Sequence, residues 1–246
     1  VNWGFLTQMP ENGMVDGGIY PALLGTAELV LGTVLVAVPL GVMAALYLSE
    51  YARPSWITRL IRLAILNLAG VPSIVYGLFG LGLFVIFLKL GTSLAAGSLT
   101  LGVLVLPIII TASEEALLGV PRSFREGSLA LGATQWQTLA RVVLPQATPG
   151  ILTGTILGVG RAAGETAPIL FTAAAFYLPA LPRNLKEALT GPVMALPYHI
   201  YGVATQLPDA PERIQWGTAS VLLLLVLGMS SLAVLLRARI RAGRAW

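Results

Sequence analysis

The chain alternates between long apolar stretches and short polar ones. Five apolar runs stand out, at about 22–48, 63–88, 97–118, 149–177 and 216–236. About 20 apolar residues in helical form cross roughly 30 Å of hydrocarbon, so each run predicts a membrane-spanning helix. The first carries Glu28 near its start and Pro39 within it. The second is interrupted by Gly70-Val71-Pro72-Ser73, which predicts a kinked or two-piece helix. Residues 1–21 are polar and Gly-rich and lack the apolar core of a signal peptide.

The polar connections set an orientation. Arg53, Arg59 and Arg62 lie between the first two runs, and Arg122, Arg125 and Arg141 between the third and fourth. Arg237, Arg239, Arg241 and Arg244 follow the last, which makes ten of the fifteen basic residues. The alternate connections carry only Lys89, Arg183, Lys186 and Arg213. Cytoplasmic loops are the ones enriched in Lys and Arg. The expected layout is therefore an external segment 1–21, a membrane domain 22–236 and a cytoplasmic basic tail 237–246. Within the membrane domain, 120–146 is a cytoplasmic loop and 178–215 an external one. Five spans with an outer N-terminus, in a chain that begins with Val1, lead us to expect one further span upstream.

Composition narrows the function. Of 246 residues, 56% are hydrophobic and 11% charged, and the mean hydropathy is +0.83. Soluble domains average about 25% charged residues, so soluble enzymes and DNA-binding proteins recede. The net charge of +4 forms no basic face, so no nucleic-acid partner is expected. There is no cysteine and one histidine, His199, which leaves little for a metal site or a catalytic dyad. An intramembrane hydrolase is therefore disfavoured, and no Gly-rich nucleotide loop with its Lys is present.

The 120–146 loop mixes Phe124, Leu129, Leu131, Trp136 and Leu139 with charges, and predicts two short helices with a turn at Gly132. One reading is an amphipathic segment on the membrane surface. A sharper one comes from the order Glu126-Gly127-Ser128, three residues, Gly132, nine residues, Val142, one residue, Leu144-Pro145. This resembles the EAA loop of ABC importer permeases, with Gly127 and Ser128 where alanines are usual. Tyr47-Leu48-Ser49-Glu50-Tyr51-Ala52, the stretch from Gly70 to Phe79, Glu114-Glu115-Ala116-Leu117, Gly164-Glu165-Thr166-Ala167-Pro168 and Met194-Ala195-Leu196-Pro197 are similar to PstA-type permeases of phosphate importers.

The resemblance implies an all-α membrane protein, a type I, MetI-like helical bundle with five spans present and the N-terminal one missing. It implies a PstC-like permease partner, two ATP-binding subunits that hold ATP and Mg, an external phosphate-binding protein, and phosphate as cargo in the lipid bilayer of the inner membrane. This chain would hold no cofactor and no metal and would catalyse nothing itself. Arg125, Glu126, Gly127, Ser128, Gly132, Leu144 and Pro145 would couple it to the ATPase. Another oxyanion, sulfate or molybdate, or a scaffold for phosphate signalling, are the alternatives.

Charges inside a span are functional-site hypotheses by default. Arg161 lies eleven residues beyond Gly150, which at 1.5 Å per residue is about 16 Å along the helix. Glu165, four residues on, shares its face. The pair is either a structural brace or a point where Arg161 meets an oxyanion in transit, with Thr166 beside it. Gly150, Gly154 and Gly158 form a small-residue stripe, which predicts a close partner helix from a related permease. Pro168 predicts a kink. Glu114 and Glu115 are expected to pair with Arg122 or Arg125. Glu28 lines an outer vestibule or caps a polar cluster. The proline-rich 178–215 loop is expected to be largely non-helical, apart from a turn at 184–189.

Overall fold

The structure, a computed structural model, describes residues 2–207 and 211–242. Val1, Pro208, Asp209 and Arg244 lie outside the described residues. After a short α1 (Trp3–Thr7) and a two-stranded hairpin, β1 (Pro10–Glu11) and β2 (Asp16–Gly17), the architecture is helical. The long helices are α2 (Tyr20–Leu46), α5 (Leu94–Leu118), α8 (Leu144–Gly164) and α12 (Glu212–Ala242). Among the described residues these four are long and apolar enough to cross a membrane. α3 (Trp56–Ala69) and α4 (Ser73–Gly80), the latter running into a π-helical turn Leu81–Phe87, make a fifth when taken as one broken span.

That break bends by 103°. Its cause is local: Gly70 ends α3 and Pro72 directs the chain into α4, since the residue before proline avoids helical geometry. The fourth apolar run also divides. α8 ends at Gly164, residues 165–166 leave the helix, and α9 (Ala167–Thr172) starts with Pro168 in its first turn. Pro168 therefore does not kink a continuous helix, as expected from sequence. It opens a new one, where its missing N–H costs nothing.

The external loop is more helical than its prolines suggested. α10 (Leu185–Thr190) is capped by Asn184, whose Oδ1 accepts from the Glu187 amide at 2.9 Å. α11 (Leu196–Gln206) has Pro197 in its first turn. Much of the basic tail is helical as well, since α12 continues to Ala242.

The chain forms two compact units, and it passes from one to the other within α2, α5, α8 and α12 and between Gly70 and Val71. One gathers the N-terminal segment to Val36, Val71–Leu104 and the stretch from Val159 to Gly228. Its core packs Leu29, Leu101, Ile169, Ala173, Val193 and Ala195, with Ile19, Ala22, Met194 and Leu196 in a neighbouring cluster. Backbone bonds stitch it: Ser93 N–H to Thr172 O, Leu94 N–H to Gly191 O and Val193 N–H to Ala173 O, each at 2.9 Å. Thr26 Oγ1 donates to Ala22 O and accepts from the Leu196 amide, so α11 is anchored on α2. Glu28 lines a small cavity with Pro21, Leu24, Leu178, Pro182 and Glu187.

The other unit gathers Ala37–Gly70, Val105–Gly158 and the chain from Met229. Its core is Ala45, Leu117, Val120, Leu139, Val143, Ala147 and Ile151. Here the small-residue stripe finds its partner within the chain, against expectation. Gly150 lies over Ala116, Gly154 over Ala112 and Gly158 over Ile109, all on α5. Small residues on both helices let the backbones close on each other. Glu114 bonds Arg62 at 2.7 Å, and Arg125 turns to Glu50, so the expected pairing of Glu114 with Arg122 or Arg125 is not formed.

His199 is 3% exposed, and neither ring nitrogen has a hydrogen-bond partner among the described residues. Burial pushes its pKa from 6.5 down to about 4. Between those values the unfolded chain binds a proton that the folded chain refuses, so stability is lost as pH falls through that window. Thermal unfolding in detergent, compared between about pH 7 and about pH 5, should show this loss, and His199→Leu should flatten the slope. Gly154→Leu should lower stability by about 1–3 kcal/mol or more through overpacking against Ala112, read as a drop in the unfolding midpoint. An unchanged midpoint would contradict the α5–α8 contact.

Candidate functional site

Two places carry polar chemistry. The first is the segment that begins with α6 (Arg122–Ala130) and α7 (Gln135–Thr138) and reaches α8 through a π-helical turn, Leu139–Val143. α6 stops because Gly132 takes φ +82°, a conformation that side chains resist. The amides of Leu131, Gly132 and Ala133 return to the carbonyls of Gly127, Leu129 and Ser128. Thr134 then opens α7 with a capping box: its Oγ1 accepts from the Gln137 amide at 3.2 Å, and Gln137 Oε1 accepts from the Thr134 amide at 2.9 Å. Ser128 Oγ and Thr138 Oγ1 share a hydrogen bond of 2.9 Å, which holds the two helices together.

The result is a folded two-helix lobe with two large apolar side chains left uncovered among polar ones. Leu131 is 91% exposed and Trp136 64%. Glu126, Gly127 and Gly132 are exposed with them, and open space surrounds both glycines. The other residues singled out from sequence turn inward. Leu144 packs on the Leu117–Val143 core, Pro145 is half-buried, and Ser128 is spent on Thr138. Arg125 is also turned inward. Its guanidinium donates to Val120 O at 2.6 Å, to Leu117 O at 2.8 Å and to Glu50 Oε1 at 2.8 Å.

The second place is the break after α8. Arg161 Nε donates to Glu165 Oε1 at 3.2 Å, so the predicted pair forms even though Glu165 has left the helix. The bond uses one edge of the guanidinium. Its two terminal amino groups make no bond to a described residue, and the side chain is 32% exposed. Thr166 follows, half-buried, as the residue that opens α9. α4 packs closely against this point: a Cβ on Gly77 would lie 2.9 Å from Ala167 O.

Beside Gly77 stands Tyr76, buried and within the electrostatic reach of Arg161. Tyr76 lies in the Gly70–Phe79 stretch and Glu50 in the Tyr47–Ala52 stretch, and the sequence alone assigns neither a role. The available signals were a hydroxyl just past a proline break, and a lone acid at the end of a span.

A family model described as "Binding-protein-dependent transport system inner membrane component" matches residues 37–242. The chain is 37% identical over 239 residues to "Probable ABC transporter permease protein YqgI" of Bacillus subtilis, an alignment covering 92% of this chain and 80% of the relative. It is 39% identical to "Phosphate transport system permease protein PstA" of Mycobacterium leprae, over 90% of this chain and 70% of that one. The probable PstA of Methanocaldococcus jannaschii is 36% identical, over 87% and 74%. Among solved structures, the inward-facing MetNI methionine ABC transporter aligns with a TM-score of 0.67 at 17% identity, covering 90% of this chain and 97% of that one. An amino acid ABC transporter aligns at 0.60 and 15%, covering 90% and 92%.

The chain belongs to the family of binding-protein-dependent transport system inner membrane components. It is a multi-pass permease subunit with the MetI-like importer fold. Its family works with other permease, ATP-binding and substrate-binding subunits.

The φ of Gly132 gives a direct check on the lobe. Gly132→Val should strain the turn by about 1–2 kcal/mol, whereas Gly132→Asn, which tolerates φ > 0, should be accepted. Limited trypsin digestion reads this at Arg122, Arg125 and Arg141: faster cleavage is expected in the Val variant and the wild-type pattern in the Asn variant.

Proposed function

We propose that this chain is the PstA-like half of a phosphate importer, paired with a PstC-like permease, two ATP-binding subunits and an external phosphate-binding protein. The observation that carries the reading is the guanidinium of Arg161, held to Glu165 by its Nε edge and 32% exposed. Among the described residues its two amino groups have no partner, and such a planar fork suits a tetrahedral oxyanion, because it stays charged and offers paired donors. Glu165 holds the Nε edge and offsets part of the charge, so an anion is met without being trapped. The similarity to PstA proteins of 36–39% identity supports phosphate as that anion.

In this reading the uncovered face of the α6–α7 lobe, with Glu126, Gly127 and Gly132, meets the ATP-binding subunits on the cytoplasmic side. Leu144, Pro145 and Ser128 brace it from behind. The N-terminal segment faces outward and the C-terminus inward. ATP and Mg sit in the partners, and this chain holds no cofactor. Closure of the ATPase pair draws the lobes of the two permeases together and opens the path outward. Phosphate then leaves the binding protein and passes Arg161, with Thr166 beside it, and hydrolysis turns the path inward.

ATP hydrolysis by the assembled complex tests this, with phosphate-loaded and then sulfate-loaded binding protein. Stimulation by the phosphate-loaded protein alone is expected. Stimulation by sulfate would move the assignment to another oxyanion. Arg161→Ala should abolish phosphate uptake while the complex still assembles; normal uptake in that variant would reduce the pair to a structural brace.

A further inference from the structure

α2 does not end as an ordinary helix. Over Tyr47–Tyr51 it widens into a π-helical turn, closed by the Ala52 amide on Tyr47 O at 2.8 Å. Such turns are rare and cluster at functional sites. Three of its polar groups, Leu48 O, the Glu50 carboxylate and Glu50 O, are engaged by other elements. Arg62 of α3 donates to Leu48 O at 2.9 Å and bonds Glu114 of α5. The Glu50 carboxylate accepts from Arg125 of α6 at 2.8 Å, and Glu50 O accepts from Gln135 Nε2 of α7 at 3.4 Å. Glu50 thus holds both helices of the lobe, one by its side chain and one by its backbone.

Arg125 completes the connection. Its remaining donors go to Leu117 O and Val120 O, at and just beyond the C-terminal end of α5. Leu117 O also accepts from the Val120 amide at 3.2 Å, and a cation at the C-terminal end of a helix is favoured. One guanidinium therefore joins the end of α2, the end of α5 and the first turn of α6. The pair is mostly buried, with 20% and 15% of the two side chains exposed. An ion pair so enclosed is costly to break by removing one partner. The lobe cannot shift against α2 or α5 without opening it.

We propose that Glu50 is a positioning residue: through Arg125 and Gln135 it delivers displacement of the α6–α7 lobe to α2 and α5 as a single step. The proposal rests on the reading of the lobe as the surface that meets the ATP-binding subunits. Glu50 touches neither ATP nor cargo.

The test uses the whole complex in proteoliposomes and measures three quantities: ATPase subunits retained, basal ATP hydrolysis, and phosphate taken up per ATP hydrolysed. Glu50→Gln should retain the subunits and basal hydrolysis but lower uptake per ATP about tenfold. Glu50→Asp, which keeps the charge on a shorter arm, should recover much of it. A wild-type ratio in Glu50→Gln would overturn the proposal. So would loss of the ATPase subunits from that variant, since Glu50 would then be a brace for the docking surface. If Glu50→Gln fails to fold, Gln135→Ala decides, since it removes the bond from α7 to Glu50 O at an exposed position: a lowered ratio in an assembled complex supports the role, and a wild-type ratio overturns it. Absence of ATPase subunits from the wild-type preparation would overturn the reading of the lobe, and this proposal with it.

Discussion

Hydrocarbon offers no hydrogen bonds, so each polar group carried into a membrane must be met from within the protein. Much of this structure answers that constraint. Thr33 donates to Leu29 O, Thr100 to Ala96 O, Thr111 to Pro107 O and Thr172 to Pro168 O, each reaching back four residues along its own helix. The hydroxyls remove themselves from the accounting and leave the helix surfaces free to pack. Two of these threonines bond the carbonyl of a proline, one of them within α5 and one in the first turn of α9.

Charges obey the same constraint with larger stakes. Arg62, Arg125 and Arg161 each carry a carboxylate partner, and each pair stands where a helix ends or breaks. Helix ends are where carbonyls and amides lack intrahelical partners. A guanidinium with several donors satisfies both a carboxylate and stray carbonyls at once. Arg125 makes three such bonds, to one carboxylate and two carbonyls, and Arg161 one, to Glu165, among the described residues. The same residue type thus serves as a rivet in one place and as a candidate ligand in the other, and the difference lies in how many described groups its donors meet.

The lobe shows how coupling and docking divide. Its exposed side carries Leu131 and Trp136 among polar groups, and suits burial against another protein surface. Its inner side is joined to helix ends through Arg125 and Gln135. A rigid element of this kind transmits force only if its inner bonds hold, which is why the residues behind the exposed face matter as much as those on it.

Period and length alone made the five apolar segments legible, because spanning hydrocarbon demands runs of about 20 apolar residues. Spacing along one helix gave the Arg161–Glu165 pair, and the turn at Gly132 followed from the residue's freedom at φ > 0. Each of these depends on neighbours in sequence. What sequence misjudged depends on neighbours in space. The glycines of α8 announced a close helix, expected from a related permease; packing shows that Ala112 and Ala116 of α5 fill the role. The prolines at 168 and 197 were read as disruptions, whereas each begins a helix, a choice set by the chain that precedes it. The partners of Arg125 and Glu114 are Glu50 and Arg62, 75 and 52 residues away. Local sequence determined which groups needed partners; the tertiary fold decided which ones they met, because charge pairing across such separations follows from which helix ends the packing brings together.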